Sequence, residues 1–480
     1  MRVLRQMLAT QGRYVLTRAA AWRAEYAGLF LASLLAVLVR VPFFFWPLTT
    51  DEGGYAYTAH WWFRGLPLYS DQLWFDRPQG IFLAYQLGMS LLGDSTWAIR
   101  LWGALWAAGT AAGVYLVARR LLGRQEAIVS AVLCALFSAA PQLEGFTANA
   151  KVFMALFTTL SSYYILTRKP IQAGILASAA VLLKPSGASA FLLAVVWLAH
   201  ERAGLSEWEQ FILASIPLPL AALAHGAMTV GLTDYANAVF MFRVGTRQAA
   251  PLFDIIRSWI STSPAWGPLA ILAIPGVYRV PWRTRAFVLT WLLSSLAGMA
   301  LGGNWFWHYF IQIMAPLSVC AGIGLSSLVF NTRDLFRFTG LAWGFLYLLL
   351  VGHLMVAQPK QGAWELYHRP GYLVAEDVAN YIRTHTEEGD SIYIAFFESD
   401  IYHLAHRRSA FPHLYRLELT HIPGAYERLV NMVEMREPMY IVALDPPLKA
   451  IDPGDHFRMA LEKGYRVETT CDGIPIYRRE

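Results

Sequence analysis

Charge is scarce in this chain of 480 residues: only 15% are Asp, Glu, Lys or Arg, while 56% are hydrophobic. Soluble domains carry about 25% charged residues, so the composition excludes an ordinary soluble enzyme and reads as a polytopic membrane protein. Cysteine is scarcer still. Cys134, Cys320 and Cys471 are far apart, and the first two fall in apolar runs, so neither a disulfide framework nor a zinc site is indicated. No Gly-rich phosphate loop, internal repeat or paired His at metal-ligand spacing is legible. The net charge of +6 does not point to nucleic acid, because the basic residues cluster in short segments between apolar runs.

What is present is a succession of such runs. A membrane helix needs roughly 20 mainly apolar residues. That window gives about eleven spans, near 27–47, 97–118, 125–144, 152–167, 171–183, 187–199, 209–230, 264–279, 285–302, 309–330 and 336–357. The pair around "LLKPSG" could also form one broken or re-entrant element. Residues 1–26 are basic and lack a convincing small-residue cleavage site, which favours an uncleaved first membrane helix over a removable signal peptide.

Basic residues set the expected orientation. Arg119, Arg120 and Arg124, then Arg168 and Lys169, then Arg202, then Arg279, Arg283 and Arg285, then Arg333 and Arg337 fall on alternate sides of the spans. Together with the basic N-terminus they mark the cytoplasmic face. Segments 48–96, 145–151, 231–263, 303–308 and everything after 358 then lie outside the cytoplasmic membrane. Segment 48–96 has many aromatic residues and apolar stretches too short to cross, so surface helices are expected there. Residues 1–357 thus form a membrane domain and 358–480 a small α/β domain. In the latter, "YLVAEDVANYIRTHTEEGD" reads as an amphipathic helix, "SIYIAFF" and "MYIVAL" as buried strands, and "YRVETTCDGIPIYRR" as a hairpin.

The candidate chemistry maps to the outer segments. "TTDEGGYAYTAHWW" places Asp51 and Glu52 where the chain has just left its first span. Thr49 and Glu52 fit a capping box, whereas Asp51 in the first turn is stabilised as an anion by the helix dipole and suits a general base. "WFDRPQG" offers Arg77, whose rigid fork suits phosphate or a pair with Asp76. Lys184 in "VLLKPSG" needs a partner, either a bound anion or a carboxylate such as Glu144. Arg40 lies late in the first span. In "EGFTANAK" Glu144 and Lys151 pair most simply with each other, and "NWFWHYF" places His308 and Tyr309 at a helix start. Arg243 and Arg247 face either anions or water, and Tyr55 and His60 follow the acidic pair.

Several of these segments together resemble a known group. "TTDEGGYAYTAHWWFRGLPLYSD", "FDRPQGIFLAYQLGMSLLG" and "RLWGALWAAGTAAGVYLVARRLLG" resemble the start of the GT-C fold glycosyltransferases related to protein O-mannosyltransferases and lipid A aminoarabinose transferases. "AAVLLKPSG" and "NWFWHYFIQIMAPLSVCAGIGL" resemble later landmarks, so the likeness spans roughly residues 28–330. The resemblance implies a GT-C membrane fold and a sugar donor on a polyprenyl phosphate, with Asp51 acting near a hydroxyl acceptor; Glu52 beside it is the second catalytic candidate. It implies donor-phosphate contact by Arg77, with Lys184 and Arg40 as further basic candidates. Tyr55, His60, Glu144, Arg243, Arg247, His308 and Tyr309 are the remaining substrate-binding candidates. The lipid A enzymes often carry Lys-Pro-Pro where this chain has Arg-Pro-Gln. No cofactor is indicated; a divalent metal is compatible with such chemistry, but the sequence supplies no ligand cluster for one. The competing reading is a transporter or flippase of lipid-linked or anionic substrates, for which broken helices with intramembrane charge are the usual sign.

Overall fold

The structure is a computed structural model that describes residues 26–246, 250–326, 335–396, 398–443, 451–452 and 454–480. The basic N-terminal residues, Arg247 and Arg333 lie outside the described residues, as does the side chain of Arg337.

Among the described residues, seven helices are long and apolar enough to cross a membrane: Tyr26–Phe43, Thr96–Leu121, Leu205–Val230, Leu252–Val277, Trp282–Leu301, Trp307–Leu325 and Phe338–Val356. The expected spans near 152–167, 171–183 and 187–199 are present as the shorter apolar helices Ala150–Leu166, Pro170–Leu183 and Pro185–His200. The one near 125–144 is a helix over Arg124–Phe137 that gives way to a short turn at Pro141–Leu143. Pro185 and Gly187 account for the break between two of these. Proline cannot donate to the helical ladder, and a Cβ at Gly187 would strike the backbone of Ala180.

Small residues let the membrane helices approach closely, as packing without a hydrophobic drive in lipid requires. A Cβ at Gly276 would run into the backbone of Gly324, so helices Leu252–Val277 and Ile311–Ser326 touch main chain to main chain. Segment 48–96 carries two helices, Thr50–Phe63 and Gly80–Leu92.

The C-terminal residues build a five-stranded sheet. Its strands are β1 (Ser391–Ala395), β2 (Arg408–Ser409), β3 (Tyr440–Ala443), β4 (Tyr465–Cys471) and β5 (Ile474–Arg479), in the order β2-β1-β3-β5-β4. β1 pairs in parallel with β2 and β3, and β5 pairs antiparallel with β3 and β4. Asp472 and Gly473 turn the final hairpin with φ of 46° and 84°, the left-handed backbone that tight hairpin turns demand. The Pro370–His385 helix buries Tyr372, Val374, Ala375, Val378, Ala379 and Ile382, a helical stripe laid against the sheet.

This domain sits directly on the helix that follows the first span. Ser399 Oγ and Tyr415 OH donate to the carbonyl of Thr50 at 2.6 and 3.2 Å, and the amide of Ser409 donates to Tyr57 OH at 2.9 Å. His403 Nε2 donates to the carbonyl of Asp94 at 2.9 Å. Gly53 makes the approach feasible, since any Cβ there would collide with the backbone of Asp400.

Candidate functional site

Asp51 and Glu52 are neighbours in sequence with opposite environments. The capping box is present: the Glu52 amide donates to Thr49 Oγ1, and Glu52 Oε2 accepts from the Thr49 amide at 2.9 Å. The same carboxylate is fully buried and pairs with Arg100, Nε to Oε1 at 2.6 Å and Nη2 to Oε2 at 2.8 Å. The amide of Ala148 also donates to Oε1 at 2.7 Å. Both oxygens of Glu52 are therefore occupied by protein groups. Asp51, one residue earlier, accepts from Asn149 Nδ2 at 3.0 Å through Oδ2. Asn149 caps its own helix by accepting from the Lys151 amide at 3.0 Å.

Arg77 pairs with Asp76, Nη1 to Oδ1 at 2.7 Å, and the other oxygen of Asp76 pairs with Nε of Arg243. One carboxylate serving two guanidinium groups leaves their charge incompletely neutralised. Burial alone would raise the Asp76 carboxyl, but Arg243 and Arg77 hold it below the ordinary carboxylate range.

Lys184 does not pair with Glu144 directly. Its Nζ lies 3.4 Å from His308 Nε2, and His308 Nδ1 lies 3.1 Å from Glu144 Oε2. The expected Glu144–Lys151 pair is absent; Lys151 instead donates to Ser186 Oγ at 2.8 Å and to Gln312 Oε1 at 2.6 Å. Both lysines lie 4.7 Å from the ring centroid of Tyr309, which serves as a shared cation–π platform. Arg77, Asp51, Arg243 and Asp76 all act electrostatically on Lys184, so these groups form one cluster.

Two candidates, Arg40 and His60, stand elsewhere. Arg40 is buried and donates to the carbonyls of Gly145 and Ala36 and to Ser138 Oγ at 3.0, 2.8 and 3.2 Å. Its guanidinium is engaged within the helix packing. His60 faces His406 of the C-terminal domain at 6.2 Å between ring centroids. Arg247 lies outside the described residues. Tyr55 is buried among Phe75, Phe82 and Tyr85, within electrostatic reach of Asp51 and Arg77.

Sequence reasoning missed Asn149, Arg100 and Gln312, and gave Asp76 and Lys151 only as pairing partners. "TANAK" does carry an N-cap signal at Asn149, but nothing local links that cap to Asp51. Among the described residues no group of three or more His, Cys, Asp or Glu side chains is placed to hold a metal ion.

Residues 76–225 match the family described as dolichyl-phosphate-mannose-protein mannosyltransferase. No curated protein sequence matches the chain. Among solved structures, ArnT from Cupriavidus metallidurans bound to undecaprenyl phosphate is similar with a TM-score of 0.66 at 14% identity, over 93% of this chain and 97% of ArnT. The apo form of the same ArnT gives 0.65 at 15% identity, over 96% and 98%. The oligosaccharyltransferase AglB from Archaeoglobus fulgidus, in complex with an inhibitory peptide and a dolichol-phosphate, gives 0.51 at 15% identity, over 95% of this chain and 74% of that one. The GT-C resemblance read from the sequence is thus present in the fold, and its apolar helices make the chain a multi-pass membrane protein.

Proposed function

We propose that the protein is a membrane glycosyltransferase that moves a monosaccharide from a polyprenyl-phosphate donor to a hydroxyl acceptor at the outer face of the cytoplasmic membrane. The acceptor is a glycolipid, a cell-wall glycan or a protein. The observation that carries the reading is the pairing of two features in one cluster: a carboxylate held by a single amide, at Asp51, and incompletely neutralised cations, at Arg77, Arg243 and Lys184.

In the proposed reaction the acceptor oxygen attacks the anomeric carbon as its proton passes to Asp51. The bond from that carbon to the phosphate oxygen breaks, and polyprenyl phosphate leaves as an anion held by the basic side chains. A single displacement of this kind inverts the anomeric centre. The ligands named for the similar structures, undecaprenyl phosphate on ArnT and dolichol-phosphate with a peptide on AglB, support the donor class.

The test is transfer by the purified full chain from a synthetic polyprenyl-phosphate sugar to a hydroxyl acceptor. Formation of a glycosylated acceptor together with free polyprenyl phosphate supports the reading. Uptake of the intact donor into vesicles without bond cleavage would favour the transporter.

A further inference from the structure

The cluster contains a chain of three side chains that the reaction above does not use as a unit. His308 stands between Lys184 and Glu144, with one ring nitrogen toward each. Its ring is fixed from the side by stacking on Phe306, with centroids 5.8 Å apart and planes 24° apart. Glu144 sits in a left-handed turn at φ 52°, a backbone a glutamate seldom adopts. A Cβ on the following residue, Gly145, would strike the carbonyl of Ser138, so the turn is pinned on its other side.

We propose that His308, oriented by Glu144, is a positioning residue that fixes the Lys184 ammonium for contact with the donor phosphate. The inference rests on the donor reading given above. An ammonium has donors only, so His308 must offer it a lone pair at Nε2. That requires the proton on Nδ1, which in turn requires Glu144 to accept. The tautomer of the histidine is thus dictated by a carboxylate two bonds of the chain away from the phosphate site.

The arrangement carries a pH dependence set by Glu144. Burial pushes the Glu144 carboxyl up to about 7, against the opposing influence of Arg369, Lys184 and Arg100. Tyr367 and Tyr372 of the C-terminal domain also face it. Around His308 the charged groups are Lys184, Asp51, Lys151 and Arg77, and around Lys184 they are Arg77, Asp51, Arg243 and Asp76. With Glu144 ionised, Nδ1–H donates to it and Nε2 accepts from Lys184. With Glu144 protonated, the acid can donate to Nδ1, which places the ring proton on Nε2 facing the donors of Lys184. Loss of that link weakens the Lys184 contact as the pH drops through about 7, while Lys184, which burial also brings down to about 7, takes up its own proton over the same range with the opposite effect.

The experiment measures binding of a synthetic polyprenyl-phosphate hexose to the full chain in detergent between pH 5.5 and 8.5, a range of about three pH units around the Glu144 titration. The probe is a phosphodiester, so its own charge is constant across that range. Wild type is expected to bind more weakly below the Glu144 step than Glu144→Gln does at the same pH. Glu144→Gln is expected to lack that step and to keep only the opposite dependence of Lys184, because its amide does not titrate. His308→Phe keeps the ring stack and loses both nitrogens; affinity at high pH is expected to fall about tenfold, the effect of one lost hydrogen bond to a charged group. His308→Gln retains an oxygen for Lys184 but no link to Glu144, and is expected to bind nearly as well as wild type at high pH without the step. Wild-type affinity in His308→Phe, or a wild-type pH step in Glu144→Gln or His308→Gln, overturns the proposal. No binding by wild type at any pH would instead remove the donor reading, and the positioning proposal with it.

Discussion

Glu52 and Arg100 form a fully buried ion pair, Oε1 to Nε at 2.6 Å, that joins the helix after the first span to the Thr96–Leu121 helix. Arg100 also donates to the carbonyls of Phe43 and Pro47 at 3.2 and 2.8 Å, so one guanidinium ties down the entire entry into the Asp51 helix. The pair thereby fixes the backbone that carries Asp51.

Removing one partner of such a pair leaves the other charge buried and uncompensated, at a cost of about 3–5 kcal/mol. Glu52→Gln is accordingly expected to lower the thermal unfolding midpoint in detergent, whereas Asp51→Asn leaves it near wild type. A stable Glu52→Gln protein that is inactive would return Glu52 to the chemistry.

Gly53→Ala is expected to loosen the C-terminal domain, since the new methyl group meets the backbone of Asp400 and not a yielding side chain. Overpacking of this kind costs about 1–3 kcal/mol. Limited proteolysis should cut between residues 356 and 370 faster in the variant than in wild type, because Val356–Pro370 joins the last membrane helix to the domain. Equal rates would mean that the contact bears no load.

Arg77→Ala and Lys184→Ala are each expected to weaken donor binding by about 1.5–3 kcal/mol, the loss of one hydrogen bond to a charged group. Arg77→Lys should recover part of that, because an ammonium cannot reproduce a two-pronged fork. Normal donor affinity with failure only toward acceptor would show that the basic cluster serves the other substrate.

Reporter fusions at residue 360 and within the 120–124 turn are expected to give opposite signals, with the turn cytoplasmic, as the alternation of Arg and Lys demands. Matching signals would place the Asp51 cluster on the wrong face for an externally displayed lipid donor.

Local features were legible in the sequence and distant pairings were not. The capping box of Thr49 and Glu52 lies within one helical turn, and the closing hairpin announces itself through Asp472-Gly473. The partnership of Glu52 with Arg100, of Asp76 with Arg243, and of Lys184 with His308 depends on how separate helices pack, which no spacing rule encodes. Arg40 is a related case: a lone arginine late in an apolar run does not name its partners, which in the bundle are Gly145, Ala36 and Ser138. Helix lengths were misjudged where hydropathy ran on past a break, as at Phe137, where helix Arg124–Phe137 stops short of the apolar residues that follow.

The most direct measurement of the central claim is the rate of sugar transfer by Asp51→Asn, compared with wild type in the same preparation and with donor affinity measured alongside. The substitution keeps the shape and the contact with Asn149 but removes the proton acceptor, so transfer is expected to fall by about 10²–10⁴-fold with donor affinity unchanged. A variant that transfers at the wild-type rate would contradict the assignment of Asp51 as the base.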